Sequence, residues 1–312
     1  MRTRFKIALS FCAFALLLFG PLVGCEKLNL SKLPTSAESL IGSVTENVEV
    51  PPKVLDTLSS EAVEFQLKTY KDNQQIVTLK KVEEIYESLV QAAKRSDQFS
   101  EVANAFDWQL AVIADKEKQK NAYAVPGGRV VVHKGIFSIA KHRAGLAAVL
   151  GHEIAHSLAR HAGKRMNKKV MTAITSGIVA GGGTGAGVSF TDLDPKAKAA
   201  MIAGLGLSAG VAGYAGADYV FQPDMEFEAD KEALFLAADA GYDPTLVLTF
   251  WQNLTTQKVK ANKDYQFLKL HPVGEDRLKA LLQHREQAEE TYENARKEGR
   301  DRNSSDPLPG IA

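Results

Sequence analysis

Two histidines four residues apart, His152 and His156, with Glu153 directly after the first, stand in the stretch AAVLGHEIAHSLARH. On a helix the i, i+4 spacing stacks both imidazoles on one face, where they can converge on a single metal ion. Glu153 then lies about 100° round from His152, within reach of a metal-held water without being a ligand itself. Such a set performs hydrolysis, with zinc acidifying a water and the carboxylate removing its proton. With only 7 histidines in the chain, a chance H-E-x-x-H is expected on the order of 1% of the time. The surrounding residues also suit a helix, with apolar Leu146, Val149, Leu150, Ile154 and Leu158 among good helix formers.

Catalytic zinc commonly takes three protein ligands and keeps one position open for water. A third histidine in a G-x-x-H continuation is excluded, because Ala159 and Ala162 stand at those positions. His161 follows His156 by five residues, about 140° off its direction on a continuing helix, so it is expected to be a solvated surface histidine. The remaining source of a ligand is EFEADKEALFLAADAGYDP, which begins at Glu226. On a helix Glu226 and Asp230 share a face, while Glu228 points about 200° away from Glu226. A carboxylate on the metal, with a second one turn later to hydrogen-bond a ligand histidine, makes a coherent pair. Glu228 with Glu232 is the rival pair, and spacing leaves both open. Downstream, LKLHPVGEDRLKALL supplies His271, Pro272 and Arg277 just before another helix.

These groups need a frame. Hydrophobic residues make up 45% of the chain, charged residues 24%, and the formal net charge is +1; nothing in this balance points to nucleic acid. Residues 53–100 carry helical periodicity, with Val77, Val82, Ile85, Leu89 and Val90 recurring at three- and four-residue spacing. Strand signals follow in WQLAVIAD and in NAYAVPGGRVVVHKGIF, where Pro126, Gly127 and Gly128 separate two β-prone runs. The edge of a small sheet beside the metal helix could pair with an extended substrate backbone, and Val130, Val131 and Val132 are the residues expected to do so. The alternative is a core hairpin with no substrate role. Two uncharged stretches, residues 170–190 and 199–217, approach the length of a membrane span. Their wealth of Gly, Ala, Ser and Thr suits closely packed helices or flaps better than insertion, although an integral membrane protease remains a rival reading.

The first residues read as an export signal: Arg2, Arg4 and Lys6, then the apolar run of residues 7–19, then LVGC. LVGC resembles the lipobox of bacterial lipoproteins, which implies cleavage before Cys25 and its acylation. Several acyl chains would hold the protein on a membrane. Glu26 after that cysteine implies the outer membrane, facing the periplasm. The only other cysteine is Cys12, so no structural disulfide and no thiolate metal ligand is expected. The expected organisation is a signal peptide over 1–24, a tether over 25–52, a catalytic domain over 53–285, and a charged helical tail over 286–312 that ends in disorder.

Taken together, H-E-x-x-H, E-x-E-A-D and H-P-x-x-x-x-R, with the NAYAVPGG hairpin, resemble the M48 zinc metallopeptidases over about residues 60–285. The resemblance implies an α+β fold: a mainly helical zincin-type metallopeptidase domain with a small β-sheet or hairpin beside the active-site helix. It implies one zinc ion per chain, Glu226 as the third ligand beside His152 and His156, and Asp230 behind a ligand histidine. Pro223 stands where several relatives carry an arginine, which unsettles substrate contacts near that turn. The chain looks like the stand-alone lipoprotein branch, a metalloendopeptidase acting on unfolded or misassembled envelope proteins. Glu153 is the expected general base. His271 is a candidate oxyanion donor, or alternatively an imidazole that fills the open metal position and keeps the enzyme latent. Arg277 is expected to pin its loop through an ion pair with a carboxylate of the Glu226 to Asp230 turn. A competing class is an envelope chaperone or assembly scaffold in which zinc is mainly structural.

Overall fold

The computed structural model describes residues 63–64, 67–115, 119–161, 164, 222–256 and 266–309, all within one compact unit. The expected export signal, Cys25, the expected tether and both glycine-rich stretches lie outside the described residues.

The described chain runs β1 (Ile76–Val77), α1 (Lys80–Arg95), α2 (Ser100–Ala105), β2 (Gln109–Ile113), β3 (Ala122–Val125), β4 (Arg129–His133), α3 (Phe137–Ala140) and α4 (Arg143–Leu158). It continues through α5 (Pro223–Asp239), α6 (Pro244–Thr256), α7 (Gln266–Leu270), α8 (Glu275–Leu282) and α9 (Arg285–Lys297). The fold is α+β and mainly helical, with one four-stranded sheet. In α1 the residues Val82, Ile85, Leu89 and Val90 form the buried stripe, while Lys94 and Arg95 close the last turn against the helix dipole. Val77, expected in that helix, instead pairs with Val112 in the sheet.

Every residue of α4 is buried. Such a helix cannot be amphipathic; it is enclosed on all sides, packing against α5, α1, α6 and β3. Its crossing with α5 is close because a Cβ on Gly151 would sit 3.3 Å from the carbonyl oxygen of Ala233. Small residues continue along α5 as Ala229, Ala233 and Ala237, none of them exposed. Close approach of the two backbones brings the carboxylates of α5 up to the imidazoles of α4. Pro223 at the start of α5, with Asp224 and Glu226 in its first turn, matches the preferences of a helix N-terminus.

The sheet order is β1-β2-β4-β3. β4 lies parallel to β2 and antiparallel to β3, so Val130 is flanked by Leu110 and Ala124, Val131 by Ala111 and Tyr123, and Val132 by Val112 and Ala122. This overturns the expectation that Val130, Val131 and Val132 offer a substrate edge: the hairpin folds back so that its second strand is interior, and both edges of β4 are already hydrogen-bonded. The edge beside the metal helix belongs to β3. Gly127 and Gly128 make the hairpin turn with φ of 91° and 90°, a conformation that disfavours any residue with a Cβ. At Gly128 a Cβ would also meet Phe106 at 2.9 Å.

Within the tail expected to end in disorder, the described residues 300–309 hold a defined path; residues 310–312 lie outside the described residues. Residues 300–309 run back over the helices as a strap. Its carbonyls at Asp306 and Ser304 accept the N–H groups of Arg143 and Ala144, each at 2.9 Å. Arg300 bonds both the backbone and the carboxylate of Asp239, and Leu308 is buried. Backbone hydrogen bonds to a buried helix terminus and one apolar anchor order a segment whose composition alone suggests otherwise.

Candidate metal centre

His152, Glu153 and His156 project from α4, Glu226 and Asp230 from α5, and His271 and Arg277 from the α7–α8 region. All seven are buried. His152 Nε2 lies 3.0 Å from His156 Nε2, 3.0 Å from His271 Nδ1 and 3.5 Å from Glu226 Oε2. Glu226 Oε1 lies 3.3 Å from His156 Nε2 and 3.0 Å from His271 Nδ1. A tetrahedral zinc ion with bonds of about 2.0–2.1 Å sets its donors roughly 3.3–3.4 Å apart. The four residues thus form a donor set of the right size, and they are the group that could hold a metal ion among the described residues.

The surroundings of the set fix its chemistry. His152 Nδ1 lies 3.0 Å from Asp230 Oδ1, which places its proton there and leaves Nε2 bare towards the other donors. Arg277 in turn grips Asp230 in a two-pronged contact, Nε to Oδ2 and Nη2 to Oδ1, each at 2.7 Å. The same guanidinium reaches Glu226 Oε2 at 2.6 Å and the Pro272 carbonyl at 2.8 Å. It therefore ties the α8 start to the ligand carboxylate and to the carboxylate behind the ligand histidine.

The electrostatics ask for positive charge. Burial opposes ionisation of Glu226, yet His271, His152 and His156 outweigh it and hold its carboxyl far below the usual range. Asp230 is likewise lowered against its burial by His152 and Arg277. Burial also works against a proton on His152, but Asp230 and Glu226 overcome it and lift the group to about 9. His156, by contrast, is pushed well below its ordinary value by burial and by His152. A cation among these donors would satisfy the same demand that the proton on His152 meets without it.

Glu153 stands beside this set. Its Oε2 accepts the backbone N–H of Ala124 on β3 at 2.9 Å, and its Oε1 lies 3.2 Å from His271 Nε2. Burial raises its pKa, with His271 and His152 pulling the other way. A carboxyl whose pKa burial raises, held at the edge of a metal pocket, is suited to accept and return a proton.

One residue of the site was missed by the spacing argument. His161, expected in solvent, is fully buried, with Nδ1 2.9 Å from His156 Nδ1 and Nε2 3.1 Å from Glu228 Oε2. The helix stops at Leu158, and Arg160 takes a φ of 56°. That left-handed residue turns the chain back, so the 140° offset of a continuing helix does not apply. Glu228, the rival ligand, is thereby engaged away from the donor set. Trp251 and Phe267 wall the ring of His152, with centroid distances of 5.4 Å and 6.2 Å, and no periodicity in the sequence marks them for that place.

A buried H-E-x-x-H helix, a facing acidic helix and an adjoining sheet edge define the class of metal-dependent hydrolases that work through a carboxylate base. The profile described as Peptidase family M48 matches residues 78–285, more than half of the chain, and the chain belongs to that family of metallopeptidases. Among curated relatives, it is 30% identical over 177 residues to the Mitochondrial metalloendopeptidase OMA1 of Schizosaccharomyces pombe, covering 56% of this chain and 45% of that protein. It is 29% identical over 160 residues to the Beta-barrel assembly-enhancing protease of Yersinia pestis, covering 51% and 31%. With the Mitochondrial metalloendopeptidase OMA1 of Saccharomyces cerevisiae it shares 26% identity over 228 residues, 69% and 58%. The matched region thus spans between about a third and three fifths of these relatives' own lengths.

Proposed function

We propose that the chain is a zinc metalloendopeptidase in which His152, His156 and Glu226 hold the ion and Glu153 is the general base. The observation that carries this reading is the donor set itself, three imidazole nitrogens and a carboxylate at tetrahedral separations, with a second carboxylate alongside. Zinc bound there would supply a Lewis acid able to acidify water and polarise a scissile carbonyl. Glu153 takes the proton from the attacking water and passes it to the departing amine, Ala124 N–H holding one of its oxygens in place meanwhile. Asp230 and Arg277 keep His152 in the tautomer that presents Nε2. β3, the edge strand beside Glu153, is the surface on which an extended substrate backbone would lie.

Glu153→Gln tests the assignment: casein cleavage should fall by roughly 10²- to 10⁴-fold, while the purified protein keeps one zinc per chain. Undiminished cleavage removes Glu153 from the mechanism, and another metal in the purified protein removes zinc.

A second reading of His271 is favoured by one contact pattern. Its Nδ1 stands among the donor set and its Nε2 faces Glu153 Oε1, so one imidazole would fill the open metal position and occupy the base together. Such an arrangement would be latent until substrate displaced it. His271→Ala then raises the casein-cleavage rate; a fall instead assigns His271 to stabilising the oxyanion.

For substrate and place, we propose unfolded or misassembled envelope proteins, met at the outer membrane by a protein anchored through Cys25. The leader and LVGC support that location, and the name of the Yersinia pestis relative supports an envelope client. No helix among the described residues is long and apolar enough to cross a membrane. Labelling with a radioactive fatty acid, lost in Cys25→Ala, checks the anchor.

A further inference from the structure

The outer nitrogen of His152 faces Asp230 directly, whereas that of His156 faces another imidazole. His156 Nε2 lies among acceptor atoms, 3.0 Å from His152 Nε2 and 3.3 Å from Glu226 Oε1, so a neutral His156 that ligates a metal must carry its proton on Nδ1. That nitrogen is 2.9 Å from His161 Nδ1. Two protonated nitrogens cannot share one hydrogen bond, so His161 Nδ1 accepts and its own proton sits on Nε2. There Glu228 Oε2, 3.1 Å away, accepts it. These contacts fit one set of tautomers, running carboxylate, imidazole, imidazole, metal.

We infer that His161 and Glu228 form a hydrogen-bonded relay that fixes the orientation and tautomer of His156 and strengthens it as a metal ligand. The inference rests on the reading of His156 as a ligand given above. Both residues are positioning residues; neither touches substrate. A carboxylate polarises an imidazole that donates to it, making the opposite nitrogen more basic, and an intervening imidazole passes part of that effect on. The second glutamate of E-F-E-A-D is thereby given a purpose. In α5 Glu226 and Glu228 point to different sides of the helix, one at the donor set and the other at the buried ring behind it. Arg160, by leaving the helical conformation, is what lets the ring of His161 arrive behind His156.

The test uses the full chain and zinc affinity measured by competition with a fluorescent chelator, with circular dichroism of the metal-free proteins as the check on folding. His161→Leu should weaken zinc by roughly 10- to 100-fold, the range typical of lost outer hydrogen bonds to metal ligands. His161→Asn, whose Oδ1 can take the place of Nδ1 and still accept from His156, should recover part of that loss. Glu228→Ala alters a partly exposed side chain and leaves the fold in place if His161→Leu does not; it should weaken zinc by less. Long-range nitrogen–proton NMR of the zinc protein should find His156 protonated at Nδ1 and His161 at Nε2. Unchanged affinity in His161→Leu, no recovery in His161→Asn, or His161 protonated at Nδ1 overturns the relay. His156→Ala separates the two claims: if it keeps zinc, the ligand assignment itself fails, whereas if it alone loses zinc, the site stands and only the relay falls.

Discussion

The two ends of α4 are held by opposite means. Its C-terminal half is fastened through side chains: His152 to Asp230, His156 to His161, Glu153 to Ala124 N–H. Its N-terminal turn is fastened mainly through backbone groups, with Arg143 and Ala144 donating to the strap carbonyls of Asp306 and Ser304; two side chains add to this, His142 Nδ1 accepting from Gly145 N–H at 3.1 Å and Arg143 pairing with Glu84. A wholly buried helix has no water to satisfy its first N–H groups, so the protein must provide acceptors. The comparison teaches that the chemical half of the helix depends on particular residue types. The structural half depends on the path of the chain, and almost any residue can lend a carbonyl.

Substitutions can sharpen that contrast. The largest effect on stability is expected at the side-chain end, from Arg277→Met. Removing one member of a buried ion pair leaves Asp230 and Glu226 facing each other and should cost about 3–5 kcal/mol in the metal-free protein. Urea unfolding with and without zinc measures it, and the loss should shrink when metal is bound. A smaller effect is expected at the backbone end from Gly241→Ala. Gly241 has a φ of 91°, and a Cβ there would fall 1.4 Å from the Arg300 carbonyl oxygen, so the strap must lift. Loss of two to three net hydrogen bonds at about 1 kcal/mol each should follow. Hydrogen exchange should then speed up at Arg143 and Ala144 while His152 and His156 keep their zinc. If zinc is lost as well, the two ends are not independent.

The smallest effect concerns pH. Burial lowers the pKa of His142, the N-cap. Below about 6.5 the unfolded chain takes up this proton more readily than the folded one. Its contribution to stability is therefore complete above that pH and declines as pH falls towards the depressed folded value. A protonated ring also cannot accept from Gly145. His142→Asn supplies a cap that does not titrate, and its melting temperature should vary less between pH 7 and 5 than that of the unsubstituted protein.

The contrast also explains what could be read in advance. The i, i+4 pair His152/His156 was legible because helical spacing and residue chemistry coincide there, and the Pro126 to Gly128 turn because its glycines need positive φ; between Glu226/Asp230 and Glu228/Glu232 spacing left both open, and only the family resemblance favoured the first. His161 was not legible, since a single left-handed residue at Arg160 redirects the chain and no composition rule announces it. Nor was the interior place of β4: alternation and β-propensity mark a strand without saying which strand lies between which. The strap escaped for the same reason as the helix cap it supplies. Its function is carried by peptide carbonyls, and its charged and proline-broken composition resembles that of unstructured tails.

The strap has a consequence for the order in which the molecule matures. Arg143 and Ala144 emerge from the ribosome long before Ser304 and Asp306 do, so the helix that carries the hydrolytic residues is made well before the carbonyls that complete its leading turn.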